Sequence, residues 1–301
     1  MSSFELKKGY ENVLAGCISL ENEGVSFGFQ WHDSLMPVGD NFTALDKAIY
    51  ECAAVGCESI WITVNDDFLP LIKDRVPDYI HDPIYYYRKY DTYPKEGRKP
   101  IPIFLVPQMT KHRYIRDSYG WGIINAALYA MKVFGRISKY TEPNIFYAAF
   151  PFGLYNPKEL IKYRRDISVH KQVLFTQNTS SILQGKKLGF TFNKDDVKKI
   201  THHVFKTGTM QYKKIGEYTP NNKDWLRRLP REEQYSGRRF TLNEVFEPID
   251  FSVYRKLPVD WFYEIKDWET YIDFFKSPNY LKRPDVLIPA GQLPRFGDGD
   301  D

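Results

Sequence analysis

Cysteine is scarce in this sequence, and so are the features that direct a chain to a membrane or out of the cell. Cys17, Cys52 and Cys57 make an odd number in 301 residues, and no pair of them has other metal-ligating residues nearby. No apolar run approaches the roughly 18 residues that a membrane span needs, and residues 1–8 lack the apolar core of a signal peptide. We therefore expect reduced thiols and a soluble, cytoplasmic protein.

A strong charge of one sign is missing as well. Lys and Arg number 42 against 38 Asp and Glu, which gives a net charge of +4, and the two signs are interleaved along the chain. Such a mild excess does not support nucleic-acid binding. Zinc-binding, Walker and G-x-S-x-G patterns are absent too, and the 6 histidines show no spacing typical of metal ligands. None of the classes that these motifs mark is therefore indicated.

What the sequence does contain is apolar segments that alternate with helical patterns. Val13 to Gly16 indicates a short buried strand, and a glycine-bearing loop follows from Cys17 to Gly28. Apolar positions at helical spacing predict a helix from Thr43 to Val55, which Gly56 ends. Ile60 to Val64 is then a continuous apolar strand. This order is typical of one crossover unit of a parallel sheet, whose first loop lies at the carboxyl edge where ligands bind.

The rest of the chain alternates in the same way, with irregular insertions near residues 77–100 and 216–238. Leu188 to Phe192 and Lys198 to Phe205 indicate a hairpin-like pair, which would point His202 and His203 to opposite faces of a strand. The expected fold class is α/β, a Rossmann-like three-layer sandwich with a mostly parallel central sheet over residues 1–275 and an extended tail at 276–301. The remaining strands are predicted at Ile101–Val106, Asn144–Phe150, Val173–Thr176 and Trp261–Ile265, and the remaining helices at Phe68–Arg75, from Ile123 onwards, and at Lys158–Arg165, Thr241–Phe246 and Asp267–Phe275.

Two polar segments near the ends of predicted strands are candidate sites. The pair Asp66–Asp67 follows the second strand; it could hold a cation, but capping of the next helix is the preferred interpretation. Arg113 and Arg116 precede Gly120 at the start of a helix. Backbone N–H donors and the dipole at a helix start suit an anionic group. The glycines of the first loop could also approach a phosphate, although a plain connection is the preferred interpretation there.

The order of five segments carries a family resemblance. The segments are Val13–Gly16, Leu35–Gly39 with the helix and Ala54–Ile60 that follow it, Gln108, Gly120–Ala127, and Thr241–Phe246 together with Trp261–Glu269. In order and spacing they resemble the sugar-1-phosphate nucleotidyltransferases, which make nucleoside-diphosphate sugars. The resemblance spans residues 12–275, and its weight lies in the order, since each segment alone is a weak match.

The resemblance implies a nucleotidyltransferase (GT-A) type fold and a transferase that joins a sugar 1-phosphate to a nucleoside triphosphate and releases pyrophosphate. Its partners would be a nucleoside triphosphate or nucleotide sugar and a sugar phosphate. Glu264 would ligate a catalytic Mg²⁺, and Arg113 and Arg116 could supply cations to the phosphates. The nucleotide contacts that the resemblance implies are Leu14, Ala15, Gly16, Gln108, Gly120 and Gly122.

The sequence departs from the family where the chemistry lies. The family's nucleotide loop carries an arginine and a lysine, whereas this chain reads Cys17–Leu20 and Trp31–Ser34 there. The family's fourth strand ends in a metal-binding Gly-Asp, whereas Phe150–Gly153 has no carboxylate. Three hypotheses stay open: an active nucleotidyltransferase, a nucleotide-binding or assembly protein without transfer chemistry, and a GT-A glycosyltransferase, for which Asp66–Asp67 is a poor Asp-x-Asp pair. Self-association into a homo-oligomer also stays open.

Overall fold

The computed structural model describes residues 13–21, 24–25, 27–87, 99–108, 112, 116–137, 142–207, 209–210, 212–214, 226–228, 230, 235–236 and 240–287. The strands are β1 (Leu14–Ser19), β2 (Pro37–Asp40), β3 (Phe42–Thr43), β4 (Ser59–Val64), β5 (Tyr79–His81), β6 (Pro100–Pro107), β7 (Ile145–Ala149), β8 (Gly153–Leu154), β9 (Val173–Thr176), β10 (Phe190–Asn193), β11 (Thr209–Met210), β12 (Tyr212–Lys214), β13 (Leu226–Arg228), β14 (Tyr235–Ser236), β15 (Arg255–Pro258), β16 (Tyr263–Glu264) and β17 (Leu281–Lys282). The α-helices are α1 (Ala44–Val55), α2 (Leu69–Arg75), α3 (Pro83–Tyr87), α4 (Tyr119–Ile137), α5 (Arg164–His170), α6 (Lys194–Thr207), α7 (Leu242–Phe246) and α8 (Trp268–Lys276). Short 3-10 helices cover Asp33–Leu35, Pro157–Tyr163, Ile182–Gln184 and Phe251–Val253.

An eight-stranded sheet in the order β15-β9-β10-β7-β1-β4-β6-β5 organises the described chain. β1 is parallel to β4 and to β7, β4 is parallel to β6, and β9 is parallel to β15, whereas β10 and β5 run antiparallel to their neighbours. The predicted mostly parallel α/β sheet is therefore confirmed. As a result the carboxyl ends of β1, β4, β6, β7, β9 and β15 meet at one edge, called here the carboxyl edge.

Helix α1 forms as the sequence predicts, because both of its ends carry specific signals. The Thr43 side chain accepts a hydrogen bond from the Asp46 N–H at 3.1 Å, and the Asp46 carboxylate accepts one from the Thr43 N–H at 3.2 Å. This reciprocal capping box satisfies donors that the first helical turn would leave unpaired. Gly56 ends the helix at φ 99°, a left-handed conformation that glycine adopts without strain.

The sheet lies between two layers of helices, each with its own apolar core. On one face Leu45 and Ile49 of α1 pack with Ile18 and Ile62 of the sheet. On the other face α4, α6 and α7 pack on the sheet through residues such as Ile124. Among the helices of the described ranges, none combines the length and apolar composition that a membrane crossing needs.

The first strand is longer than its pattern suggested. The sequence indicated a strand up to Gly16 and a loop from Cys17, but β1 continues to Ser19 with all of its residues buried. Gly16 is needed there for packing rather than for a turn, because a Cβ at this position would lie 2.6 Å from Cys52 Sγ. Cys17, Cys52 and Cys57 are all buried and free, as expected of reduced thiols.

The predicted hairpin at residues 188–205 is wrong, because the second half of the segment is helix α6. Asn193 Oδ1 accepts hydrogen bonds from the N–H groups of Asp195 and Asp196, at 2.8 and 3.0 Å, and so caps the helix. Val197, Ile200 and Val204 are buried on one helical face, whose spacing of three and four residues differs from strand alternation. The two adjacent histidines of this segment therefore lie on a helix.

Smaller differences concern element boundaries. Phe68 stands at the start of α2 without a side-chain cap, so the expected capping by Asp66–Asp67 is not observed. The helix predicted at Lys158–Arg165 is a 3-10 helix that runs into α5, and the strand predicted at Trp261–Ile265 shrinks to β16. The irregular insertion near 77–100 contains β5 and α3, and the tail residues of β17 pair with β2. Most of the insertion at 216–238 lies outside the described residues.

Candidate functional site

Two buried polar side chains meet at the carboxyl edge, where β1 and β6 end. Glu21 follows β1 and is 4% exposed, and Gln108 follows β6 and is 6% exposed. Gln108 Nε2 donates a hydrogen bond to Glu21 Oε2 at 3.3 Å. The Glu21 N–H donates to Ser19 Oγ at 3.2 Å, which ties the residue to the end of β1. The pair thus occupies the position at which open α/β sheets bind their ligands.

The carboxyl group of Glu21 is electrostatically unusual. Its pKa is raised from 4.5 to about 7, chiefly by burial and also by the nearby carboxylates of Asp117 and Asp66, while the hydrogen bond from Gln108 acts in the opposite direction. Its second oxygen, Oε1, is buried and has no hydrogen-bond partner among the described residues. A buried carboxyl group that titrates near neutral pH and has one oxygen without a hydrogen-bond partner is typical of a ligand-binding or catalytic position.

The loop that follows β1 is held by His32. Its Nε2 donates to the Leu20 carbonyl oxygen at 2.8 Å, and its Nδ1 accepts from the Ser34 hydroxyl at 2.8 Å. Burial lowers the pKa of His32, which favours the neutral ring that this pair of hydrogen bonds requires. Because Leu20 directly precedes Glu21, the histidine fixes the backbone that presents the carboxyl group.

Helix α4 starts beside this pair, and two glycines in its first turn allow close packing with neighbouring elements. A Cβ on Gly122 would overlap the Ser19 hydroxyl, and the Gly122 carbonyl oxygen accepts a hydrogen bond from Thr63 Oγ1 at 3.2 Å. A Cβ on Gly120 would lie 2.9 Å from Val245 Cβ. Both glycines therefore have a packing role, and their contact with a nucleotide stays a prediction.

The segment Leu14–Gly16 lies away from the carboxyl edge. Leu14 opens β1 at the opposite end of the strand, and Ala15 has no exposed surface. Gly16 packs against the sulfur atoms of Cys52 and Cys57 in the interior of the fold. These residues are thus the buried strand that supports the site, and the backbone positions that could contact a ligand begin after Ser19.

Of the two predicted arginines, only Arg116 lies among the described residues. Arg113 lies outside the described residues. The Arg116 guanidinium stacks over the ring of Phe205 on α6, with 3.8 Å between its central carbon and the ring centroid, and burial lowers its pKa. No ion pair joins Arg116 to Glu264 in the described part of the chain. A role for Arg116 at the phosphates of a nucleotide therefore stays a prediction.

Glu264 lies at a different point of the carboxyl edge, beside the end of β7. β16 pairs antiparallel with β8, which places Glu264 opposite Gly153. Its Oε2 lies 3.1 Å from Lys186 Nζ and 3.3 Å from Lys266 Nζ, and its side chain is 9% exposed. The carboxylate thus already neutralises ammonium groups of the protein itself.

A buried ion pair fixes the turn between β7 and β8. Lys47 and Glu51 are fully buried on α1, and Lys47 Nζ lies 2.5 Å from Glu51 Oε2. Tyr147 donates its hydroxyl to Glu51 Oε1 at 2.6 Å, and Tyr155 donates to the same oxygen. With these partners both charges are satisfied, as burial of an ion pair requires.

The same lysine also holds the turn directly. Its Nζ donates to the carbonyl oxygen of Phe150 at 3.3 Å and to the carbonyl oxygen of Gly153. The side chains of Phe150 and Phe152 are buried, so the turn contributes backbone and rings to the site and no acidic group.

The residues present do not fit the two-carboxylate metal site that the family resemblance implies. Glu264 is a single carboxylate with two lysine partners, and the turn from Phe150 to Gly153 supplies no second one. Within the described ranges, no group of three or more His, Cys, Asp or Glu side chains is arranged to hold a metal ion. Charge at this point of the edge is therefore balanced by lysine side chains.

Sequence reasoning placed the first loop at the correct edge but did not single out Glu21, because the strand was predicted to end at Gly16 and Glu21 then lay inside a loop. It also missed Lys186 and the ion pair of Lys47 with Glu51. The spacing of four residues between a lysine and a glutamate in an otherwise apolar helix could have indicated that pair. Lys186 has no comparable local signal, because its partner lies 78 residues further along the chain.

Comparison with known proteins identifies the class of fold. No protein-family model matches the chain, and no curated protein sequence matches it. A Bacillus anthracis protein assigned as a glucose-1-phosphate thymidylyltransferase, crystallised with sucrose, is 8% identical with a TM-score of 0.54, and the match covers 91% of this chain and 99% of that one. A UDP-glucose pyrophosphorylase in complex with UDP-glucose is 10% identical with a TM-score of 0.49 over 88% of this chain and 97% of that one. A Mycobacterium tuberculosis protein crystallised with manganese is 10% identical with a TM-score of 0.40 over 88% of this chain and 99% of that one.

At such low identity the first of these likenesses shows the fold alone. The chain has a Rossmann-like α/β fold of the nucleotidyltransferase (GT-A) type, as its segment order predicted. The match runs over nearly the whole length of both proteins, so the likeness concerns the whole fold rather than a shared fragment. Function has to be argued from the site, since one fold supports many activities.

Proposed function

We propose that this protein binds a nucleoside triphosphate or a nucleotide sugar at the carboxyl edge of its sheet and acts in nucleotidyl transfer to a sugar 1-phosphate. The observation that carries the proposal is the buried pair of Gln108 and Glu21 at that edge, in a chain with the nucleotidyltransferase-type fold. Buried polar groups at this edge, one of them lacking a partner, favour a polar ligand over an apolar one.

Gln108 is the residue that would recognise the base. Its Nε2 is engaged with Glu21 Oε2, which fixes the orientation of the amide, and its carbonyl oxygen would accept a hydrogen bond from the ligand. A base that offers an N–H group would meet this acceptor. Glu21 would act through Gln108 as a positioning residue, and its own unpaired oxygen would take a further donor.

The start of α4 is the element that would face the phosphates. The helix begins beside the end of β1, where Gly122 allows the closest approach of the two. The positive end of a helix dipole stabilises an anionic group within the first turn. In transfer itself, an oxygen of the sugar phosphate would attack the α-phosphorus and pyrophosphate would leave. Positioning and neutralisation of charge supply most of the catalysis in such reactions.

Isothermal titration calorimetry with the four nucleoside triphosphates, UDP-glucose and dTDP-glucose, each with Mg²⁺ and with EDTA, tests the binding. One or more of these nucleotides is expected to bind, and the variant Gln108→Ala is expected to bind it about tenfold more weakly, because a fixed hydrogen-bond partner of the base is lost. Gln172→Ala is the matched control, since Gln172 precedes β9 at the opposite edge of the sheet. Absence of binding by all six compounds would overturn the proposal.

Pyrophosphate release tests the chemistry separately. A mixture of the bound nucleoside triphosphate with glucose 1-phosphate is expected to release pyrophosphate in a coupled assay. The lysine partners of Glu264 favour one alternative, a nucleotide-binding protein without transfer activity, because they occupy a carboxylate that the family uses for its metal. Tight nucleotide binding without pyrophosphate release, under both metal conditions and with several sugar phosphates, would decide for that alternative.

A further inference from the structure

Lysines gather around Glu264 at the end of β7, in the place where the family resemblance implies a metal ion. Lys186 and Lys266 approach the same carboxylate oxygen, Oε2, from two different segments of the chain. Glu264 is 9% exposed, whereas the side chains of Lys186 and Lys266 are 35% and 55% exposed. The carboxylate is thus nearly buried, whereas both lysine side chains are partly exposed.

The charge of this cluster favours an anion. Two ammonium groups and the Glu264 carboxylate give these three side chains a net charge of +1, and the carboxylate of Asp267 acts on Lys266 from the exposed side. A magnesium ion held by two carboxylates has a net charge of zero, so it would not attract an anion more strongly through net charge. Lysine is a common phosphate-binding residue because its ammonium group carries three donors on a flexible stem.

The cluster continues toward the start of α4 through Lys187. This lysine is 8% exposed, and its Nζ lies 5.5 Å from the ring centroids of both Tyr119 and Phe152. The backbone of Lys187 lies so close to Gly153 that a Cβ there would overlap its carbonyl oxygen. The segment that carries Lys186 and Lys187 is therefore fixed between the turn after β7 and the first residue of α4, and the proposed function assigns the start of α4 to the phosphates.

We propose that Lys186 and Lys266 bind a phosphate group directly, without a divalent cation, and that Glu264 positions the two lysines instead of ligating a metal. The identity of the molecule that carries the phosphate rests on the proposed function. The cationic site itself does not, because its contacts belong to side chains that can be probed with a simple anion.

Inorganic pyrophosphate in EDTA is the probe, measured by isothermal titration calorimetry on the full chain at low ionic strength. We expect pyrophosphate to bind without metal, and we expect Lys186→Gln to weaken that binding about tenfold, because a charge-assisted hydrogen bond is lost. Lys198→Gln is the matched control: Lys198 pairs with Asp195 at 3.1 Å on α6, so the same charge is removed elsewhere. No binding in EDTA, or equal weakening by both variants, would overturn the inference.

The variant Glu264→Gln separates the two roles of this residue by the sign of its effect. If Glu264 positions two phosphate-binding lysines, removal of its charge raises the net charge of the cluster and is expected to tighten pyrophosphate binding in EDTA about threefold. If Glu264 ligates a metal, the variant weakens metal-dependent binding and leaves the EDTA titration unchanged. Far-UV circular dichroism and thermal melts of each variant confirm that it is folded, and weaker or unchanged binding by a folded Glu264→Gln would contradict our assignment.

The outcomes for the two proposals are distinguishable. If pyrophosphate binds in EDTA and depends on Lys186 while none of the nucleotides binds, the phosphate site stands and the proposed function fails. If nucleotides bind only when Mg²⁺ is present, and pyrophosphate does not bind in EDTA, the proposed function stands and the metal-free site fails.

Discussion

Replacing Glu21 by glutamine tests the electrostatics of the candidate site without any ligand. The native carboxyl group is 4% exposed and has a pKa of about 7, raised from 4.5 by burial and by the charges of Asp117 and Asp66. Glutamine has nearly the same shape and is neutral at every pH, so it imitates the protonated acid. The variant therefore removes the cost of a buried negative charge and keeps the packing.

The direction in which wild-type stability changes with pH depends on whether the native or the unfolded state binds the Glu21 proton more tightly. Between pH 4.5 and about 7 the native state holds a proton on Glu21 that the unfolded chain has released. Wild-type stability therefore falls as the pH rises through this window, and the full loss is present above it. A pKa that rises from 4.5 to about 7 corresponds to about 3 kcal/mol, at roughly 1.4 kcal/mol for each pKa unit.

Urea denaturation followed by circular dichroism measures the effect at pH 5 and at pH 8. Glu21→Gln is expected to be close to wild type in its free energy of unfolding at pH 5 and more stable by up to about 3 kcal/mol at pH 8. Glu58→Gln, which changes an exposed carboxylate, is the control and is expected to stay within about 0.5 kcal/mol of wild type at both pH values. A Glu21→Gln variant that is no more stable than wild type at pH 8 would refute the reasoning.

Three further substitutions test interactions that stabilise the fold, each by urea denaturation against wild type. Lys47→Met should lower the free energy of unfolding by about 3–5 kcal/mol, because Glu51 would stay buried without its counter-charge; a loss below about 1 kcal/mol would contradict this. Gly122→Ala should cost about 1–3 kcal/mol, because its Cβ overlaps the Ser19 hydroxyl, and should weaken nucleotide binding; unchanged stability and binding would contradict the close approach of α4. Asn193→Ala should cost about 1 kcal/mol, because α6 loses its cap, and a neutral result would argue against the capping geometry.

The first crossover unit shows how much of the fold local signals can determine. The apolar run that becomes β4 and the apolar face of α1 are both visible in the sequence, and so are the residues that begin and end the helix. Thr43, Asp46 and Gly56 act within four residues of their partners, so their effect does not depend on the rest of the chain. Elements of this kind were predicted within one or two residues of their bounds.

The segment that becomes α6 shows where local patterns become ambiguous. Its apolar residues are compatible with a strand when residues 198–205 are taken alone, and only burial of Val197, Ile200 and Val204 on one face decides for a helix. The decisive local information was the cap, because Asn193 and Asp196 satisfy each other's backbone N–H groups. Because the same polar residues were interpreted as a turn between two strands, the helix cap was not recognised.

The candidate site was predictable in position but not in composition. The rule that ligands bind after the strands of an open sheet located the edge at which Glu21, Gln108 and Glu264 lie. Their partners could not be read from the sequence, since Gln108 meets Glu21 across 87 positions and Glu264 meets Lys186 across 78. Leu14–Gly16 forms the buried start of β1, as its apolar pattern predicted, and its contact with a nucleotide stays a prediction.

The turn between β7 and β8 explains why a family-like acidic metal ligand cannot simply be added back. A side chain at position 153 would overlap the Lys187 carbonyl oxygen, and the two carbonyl groups that bound the turn accept hydrogen bonds from the buried Lys47. Phe150 and Phe152 are buried, so an aspartate at either position would carry an unpaired charge into the core. Gly153→Asp should therefore destabilise the protein without creating a metal site. The lysines around Glu264 are thus the charge that this architecture leaves available to a phosphate.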